Sequence, residues 1–439
     1  MNQMEVLSLF QSKSKLWRMD YYLGTQMPYR SKHTLETNPP KGYNAFYINY
    51  VGKHSARTSI YSTSLQQITN FLQYGYETQN LSLRGLELLC KIVGMNELDH
   101  ILNRTISQPG KRMLEGIANR MIQRYPTVFG HKIIGEASDS RVSREGIKVF
   151  CDELQNYIRK EHISIINHDG ENPYFDFYKI NDAYNEYLRN GEWIPAFDHF
   201  VKREDHVNPI LRRIFIETEQ DKLAASTKEI YQILVDLVQN YASDSNGTIS
   251  LEYYFNPYDR QYFWENNNML HYLVNGPTIF QHSLPVDIAF PMLMNMIETS
   301  DYAIESGDVS ANIRIGDTKM ILPFAGLLGI KYASEKTDQL CKTAVIWKDY
   351  EIASLAANIQ WVFYASNIDL YSKERSISNK IYVKMLYNEQ EVNFPFYCET
   401  APYYDWKEVK AYYLLKLKQM NINLSENVYH SLKSYACVS

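Results

Sequence analysis

The sequence predicts an α/β fold in which a core sheet flanked by helices is interrupted by an α-helical cap. Strand and helix signals alternate from residue 43 to about 159 and again from about 286 onward, the pattern of strands joined through helices. Between about Ser164 and Ser283, helical stretches follow one another without clear intervening strands. A third observation bears on function. The apolar run Phe46–Val51, rich in aromatic and β-branched residues, reads as a buried strand and ends abruptly in Lys53, His54 and Arg57.

Taken in order, residues 1–37 form an N-terminal arm and residues 43–52 the first core strand. Leu65, Ile68, Phe71 and Leu72 recur at helical spacing in Ser64–Tyr74, and Leu81–Val93 is a second helix. Lys111–Arg124 is a third, with Leu114, Ile117, Ala118 and Met121 on one face and Pro126 as its stop. His131–Ala137 reads as a strand and Ser143–Arg159 as a helix. In the cap the helical stretches are Asp182–Arg189, Ile210–Ile216 and Asp221–Gln239, punctuated by the loop Asp244-Ser245-Asn246-Gly247. Beyond it follow the helix Val286–Thr299, the strand Ala311–Gly316, the helix Lys319–Leu328 and the strand Ile359–Ala365. Ile381–Tyr387 and Val392–Phe396 make a hairpin around residues 388–391, and the helices Asp405–Gln419 and Ser425–Ser434 close the chain.

Composition narrows the function classes. A chain of 439 residues with 45% hydrophobic and 22% charged residues is ordinary for a globular protein. A net charge of −5 argues against nucleic-acid binding by overall positive charge, while leaving room for a local basic pocket. The five cysteines, Cys90, Cys151, Cys341, Cys398 and Cys437, are scattered and form no CxxC pair, so buried free thiols are expected rather than a zinc site. No apolar run approaches the ~18 residues of a membrane span. Met1–Leu16 lacks the apolar stretch and small-residue cleavage site of a signal peptide. No Gly-rich phosphate loop, Ser-His-Asp motif or HExxH occurs.

Charged groups at the end of a core strand are well placed to hold an anion, because ligands of open α/β sheets bind outside the strands' carboxyl ends. His54 can act as a nucleophile while flanking cations neutralise a phosphoryl group. The competing reading is a surface loop with solvated charges.

The segment Lys53-His54-Ser55-Ala56-Arg57-Thr58-Ser59 resembles the Arg-His-Gly-x-Arg-x-Pro signature of the histidine acid phosphatases. With Pro40-Lys41-Gly42-Tyr43 and Phe46-Tyr47-Ile48, it looks like the bacterial multiple inositol polyphosphate phosphatase branch. Later segments resemble that branch in the same order: Gly110-Lys111-Arg112 through Met121, Phe150–Leu154, Ile313–Gly316, Gln360–Tyr364 and Pro402–Trp406.

The resemblance implies a histidine phosphatase (phosphoglycerate mutase-like) core of residues 38–163 and 284–439, with the cap at 164–283. It implies a phosphomonoesterase without a cofactor, acting on an inositol phosphate or similar phosphorylated small molecule through a phosphohistidine. His54 stands at the nucleophile position, and Arg57 and Lys53 at phosphate-binding positions. Lys53 replaces a planar guanidinium by a point charge, and Ser55 replaces a glycine. A third cation is expected near residue 141, where Arg141 is favoured over Arg144. The family's acid motif, His-Asp or His-Ala-Glu after a strand ending in Gly, has become Gly316-Asp317-Thr318-Lys319. Without a gap, Asp317 stands at the histidine position and Lys319 at that of the glutamate; with one deletion, Asp317 is the proton donor. Both readings lose the partner histidine, and Lys319 can supply a compensating cation. Alternatively, Asp317 and Thr318 simply cap the following helix. Altered motifs imply reduced or altered activity, or a silent relative that binds an anion or a protein. Relatives in this branch are usually exported, so either a leader has been removed or this copy is intracellular. His199, His206, Lys202, Arg203 and Arg212 read as a solvated charged face of the cap.

Overall fold

The computed structural model describes residues 21–32, 35–57, 62–102, 105–168, 170–201, 207–217, 257–366 and 380–420. The expected helices Asp221–Gln239 and Ser425–Ser434 and the loop at 244–247 lie outside them, as do Thr58, Ser59, Lys202, Arg203, His206 and Cys437.

The strands are β1 (Tyr43–Lys53), β2 (Lys132–Ala137), β3 (Ile163–Ile166), β4 (Val309–Gly316), β5 (Asn358–Ser366), β6 (Tyr382–Tyr387), β7 (Gln390–Val392) and β8 (Tyr404–Asp405). They form one sheet in the order β3-β2-β4-β1-β5-β6-β7, with β8 paired to β6. β3, β2, β4 and β1 are mutually parallel, and β5, β6 and β7 continue antiparallel. The register aligns Lys53 with Gly316 and Ala137 with Ile315, so the parallel strands end together along one edge.

The helices used below are α1 (Ser62–Glu77), α2 (Leu83–Leu102), α3 (Gln108–Arg124), α4 (Arg141–Leu154), α5 (Phe177–Ile180), α6 (Asp182–Asn190), α7 (Trp193–Val201), α8 (Val207–Ile214), α9 (Pro257–Asn275), α10 (Phe290–Ser306), α11 (Thr318–Leu327) and α12 (Trp406–Gln419). Alternate residues of β1 face opposite sides of the sheet, and both sides are buried, which is why the strand reads as a continuous apolar run. Ile48 and Tyr50 pack with Leu114, Ile117 and Met121 of α3 and Ile147 and Phe150 of α4. Tyr47 and Val51 join Met292 and Leu293 of α10, Phe324 of α11 and Trp361 of β5 on the other side. Tyr413 of α12 stacks on Trp361 with ring centroids 5.8 Å apart.

Several boundaries differ from the sequence reading, for local reasons. α3 starts at Gln108, ahead of the apolar stripe, because the Ser107 hydroxyl caps it and Pro109 suits the first turn. α4 starts at Arg141 because the Ser140 hydroxyl accepts the Ser143 N–H. The hairpin turns on two residues, Asn388 and Glu389, both at positive φ, so β7 begins at Gln390 rather than Val392. Glu389 is held there by Arg120, whose guanidinium donates to both carboxylate oxygens, and by the Tyr29 hydroxyl at 2.7 Å. Ile163–Ile166, at the start of the expected cap, is a strand paired parallel to β2. Beyond it the described cap is helical, from α5 to α9. No helix among the described residues is long and apolar enough to cross a membrane.

Candidate active site

The carboxyl ends of β1, β4, β2 and β3 deliver His54 to Arg57, Asp317, Ser138 to Arg141, and His168 to one edge of the sheet. The His54 backbone continues the ladder: its N–H donates to the Gly316 carbonyl at 2.8 Å and its carbonyl accepts the Ala356 N–H. The side chain is held equally firmly. His54 is only 7% exposed, and Nδ1 lies 2.9 Å from the Ser55 carbonyl oxygen. A carbonyl only accepts, so Nδ1 carries the proton and Nε2 keeps its lone pair. Burial, then the charges of Arg57 and Lys53, push the imidazole down to about 3, so it is neutral across the physiological range.

Arg57 pairs by its backbone with Ile106, just before α3, which places its charge close enough to depress both His54 and Lys53. Lys53 has other partners than the phosphate expected for it. Strand alternation puts it on the side of Val51, fully buried, where its ammonium donates to the carbonyls of Thr25 at 2.6 Å and Ala353 at 3.0 Å. Burial, followed by the Arg57 charge, brings it down to about 7.

Ser55, aligned above with a glycine of the signature that the segment resembles, does not adopt positive φ. The space it needs comes from α3. A Cβ on Gly110 would collide with the Ala56 carbonyl and stand 2.9 Å from the Ser55 hydroxyl. That hydroxyl is buried without a hydrogen-bond partner.

Asp317 caps α11. Its Oδ1 accepts the Met320 N–H at 3.1 Å, and its Oδ2 accepts the Tyr178 hydroxyl at 2.6 Å. Lys319 is exposed, with its ammonium 5.7 Å from the centre of the Tyr178 ring. Arg141 stands at the same edge, but it is 56% exposed and its Nε donates to Glu145. Glu145 also accepts the Ile106 N–H, so Arg141 and Arg57 are linked through Glu145 and Ile106. Arg144 is committed to Asp139 and the His168 carbonyl. In the cap, His199 and Arg212 are exposed.

Sequence reasoning missed a buried charged network under this edge. Arg314 of β4 and Glu136 of β2 are register partners, with Nε 3.7 Å from the Glu136 carboxylate. Arg314 also donates to Asn49 at 2.6 Å and Thr299 at 3.0 Å, and Glu136 holds His168 at 3.0 Å. Burial alone would raise the Glu136 carboxyl, but His168 and Arg314 outweigh it and the net direction is down. The available signal was a lone opposite charge near the end of each of two apolar strands. Tyr178 gave no signal. Among the described residues, no group of three or more His, Cys, Asp or Glu side chains is placed to hold a metal ion.

No protein-family model and no curated protein matches the chain. Solved structures do. The multiple inositol polyphosphate phosphatase of Bifidobacterium longum in complex with inositol hexasulfate superposes with a TM-score of 0.75 at 18% identity, covering 89% of this chain and 97% of that one. The same enzyme with phosphate gives 0.74 at 17% identity, over 90% and 98%. The phytase from D. castellii gives 0.65 at 13% identity, over 92% and 86%. The fold is that of the histidine acid phosphatases and phytases.

Proposed function

We propose that the chain is a histidine-type phosphomonoesterase, with His54 as nucleophile, Arg57 as phosphate ligand and Asp317 as proton donor. The observation that carries this reading is the state of His54: a buried, neutral imidazole whose Nδ1 proton is pinned on Ser55, beside the Arg57 charge. Nε2 attacks phosphorus, the P–O bond to the leaving group breaks, and Asp317 gives its proton to the departing oxygen. Water then attacks the phosphohistidine, the P–N bond breaks, and Asp317 takes up the water's proton. Arg57 neutralises the phosphoryl oxygens throughout. No cofactor enters this scheme.

Turnover is expected to be slow. The Lys53 ammonium is spent on carbonyls, and Arg141 completes the clamp only by leaving Glu145. Losing one such donor typically costs about 10²–10³ in rate. An inositol phosphate or similarly phosphorylated polyol is the proposed substrate class, supported by the likeness to the B. longum enzyme that holds inositol hexasulfate.

A second reading, a silent anion- or protein-binding relative, is favoured by one observation: both Asp317 oxygens already accept hydrogen bonds. Rapid acid-free quenching after mixing with ³²P-labelled inositol hexakisphosphate separates the two. Hydrolysis through His54 predicts an acid-labile label on His54 and phosphate release that persists in chelator and is lost in His54→Ala. Calorimetric binding of phosphate with neither label nor release would select the second reading.

A further inference from the structure

We propose that Tyr178, carried by the cap, is a positioning residue for Asp317: its hydroxyl holds the carboxylate's second oxygen and ties the proton donor to the placement of the cap. The inference rests on the reading of Asp317 as donor and extends it to a residue 139 positions away in sequence.

Oδ1 of Asp317 is occupied by its own helix, a bond that α11 makes locally. Oδ2 is the oxygen left for chemistry, and the Tyr178 hydroxyl reaches it at 2.6 Å. This reach is built by the turn that precedes α5. Asn172 bonds the backbone of Tyr174, and the fully buried Asp176 accepts the Asn172 N–H at 3.0 Å and the Lys179 ammonium at 2.6 Å. Tyr174, Phe175 and Phe177 are buried around it. The ammonium groups of Lys179 and Lys319 lie 5.8 and 5.7 Å from the Tyr178 ring centre, near enough for each cation to be attracted to the ring. Burial, then the Asp317 charge and its hydrogen bond, raise the phenol well above its ordinary value, so it remains a donor wherever the enzyme works.

Tyr178 thus fixes the direction in which Oδ2 of Asp317 points, and the fold of the cap around Tyr178 sets that direction. The cap and the acid act as one unit.

The test compares the full chain with Tyr178→Phe, which keeps the ring and removes only the hydroxyl, in hydrolysis of 2-glycerophosphate, whose alkoxide leaving group needs a proton. The expected result is KM within about twofold and kcat lowered about tenfold, because Oδ2 loses the bond that aims it. A merely structural hydroxyl would lower Tm and leave kcat where it was, which would overturn the proposal. A second measurement needs no turnover: 3-fluorotyrosine placed at position 178 and followed by ¹⁹F resonance. The label should ionise at lower pH in Asp317→Asn than in the parent chain, and identical ionisation in both would also overturn the proposal. If neither protein hydrolyses phosphomonoesters yet the label responds as expected, the hydrolytic reading fails and the Tyr178–Asp317 coupling stands.

Discussion

The Ser55 carbonyl oxygen lies 2.9 Å from Nδ1 of His54, and this bond leaves Nε2 as the ring nitrogen with the free lone pair. Adjacent residues make it, so it forms with the loop itself and needs no distant partner. Lys53, Arg57 and the second oxygen of Asp317 depend on distant partners, and the predictions below separate the two.

Because burial and two cations hold the His54 imidazole down to about 3, its protonation does not produce an acid limb near the ordinary histidine value of about 6.5. kcat/KM should show no His54-dependent loss between pH 6.5 and 4. Stability follows the same linkage. Between about pH 6.5 and 3, the unfolded chain takes up a proton that the native chain refuses, so the native state loses up to about 1.4 kcal/mol per pH unit from this group. His54→Asn should lose less stability than the parent between pH 7 and 4 in denaturant titrations. Parallel curves would show that His54 is not held neutral.

Arg57 and Lys53 should separate by affinity. Arg57→Gln removes the charge beside His54 and should lower kcat/KM by at least about 10². Lys53→Met removes an ammonium engaged by Thr25 and Ala353 and should change the Kd for phosphate less than about threefold. Equal losses in calorimetry would mean that Lys53 reaches the ligand.

Asp317 has two candidate roles that one substitution can divide. Asn caps helices about as well as Asp, so Asp317→Asn keeps the Met320 contact while removing the transferable proton. We expect kcat to fall about 10²-fold, with Tm within about 0.5 °C of the parent, a stability change of roughly half a kcal/mol for a chain of this length. Unchanged kcat would leave Asp317 as a cap only.

Gly110→Ala tests the loop from the outside. The added methyl meets the Ala56 backbone and the Ser55 hydroxyl, neither of which is the end of a flexible side chain. Overpacking of this kind costs about 1–3 kcal/mol, and here it also displaces His54 and Arg57. Stability and phosphate affinity should fall together. Loss of stability with intact affinity would place the loop's anion-binding face elsewhere.

Local chemistry was legible in the sequence. The apolar runs of β1 and β4, the stripe of Leu114, Ile117 and Met121, and the position of His54 and Asp317 just beyond two strand ends follow from side-chain type and period within a short window. The cap on α11 was equally readable, because an N-cap bonds a backbone N–H three residues away. What only the tertiary structure decided were the partners: Lys53 with Thr25 and Ala353, Glu145 with Ile106, Arg314 with Glu136, and Tyr178 with Asp317. Pattern gives each residue its side of a strand. It does not give the strand order β3-β2-β4-β1, which brings Glu136 and Arg314 into register, nor the path of the cap that carries Tyr178 to the edge. Those contacts join residues far apart in the chain, and they exist only once the sheet has closed around them.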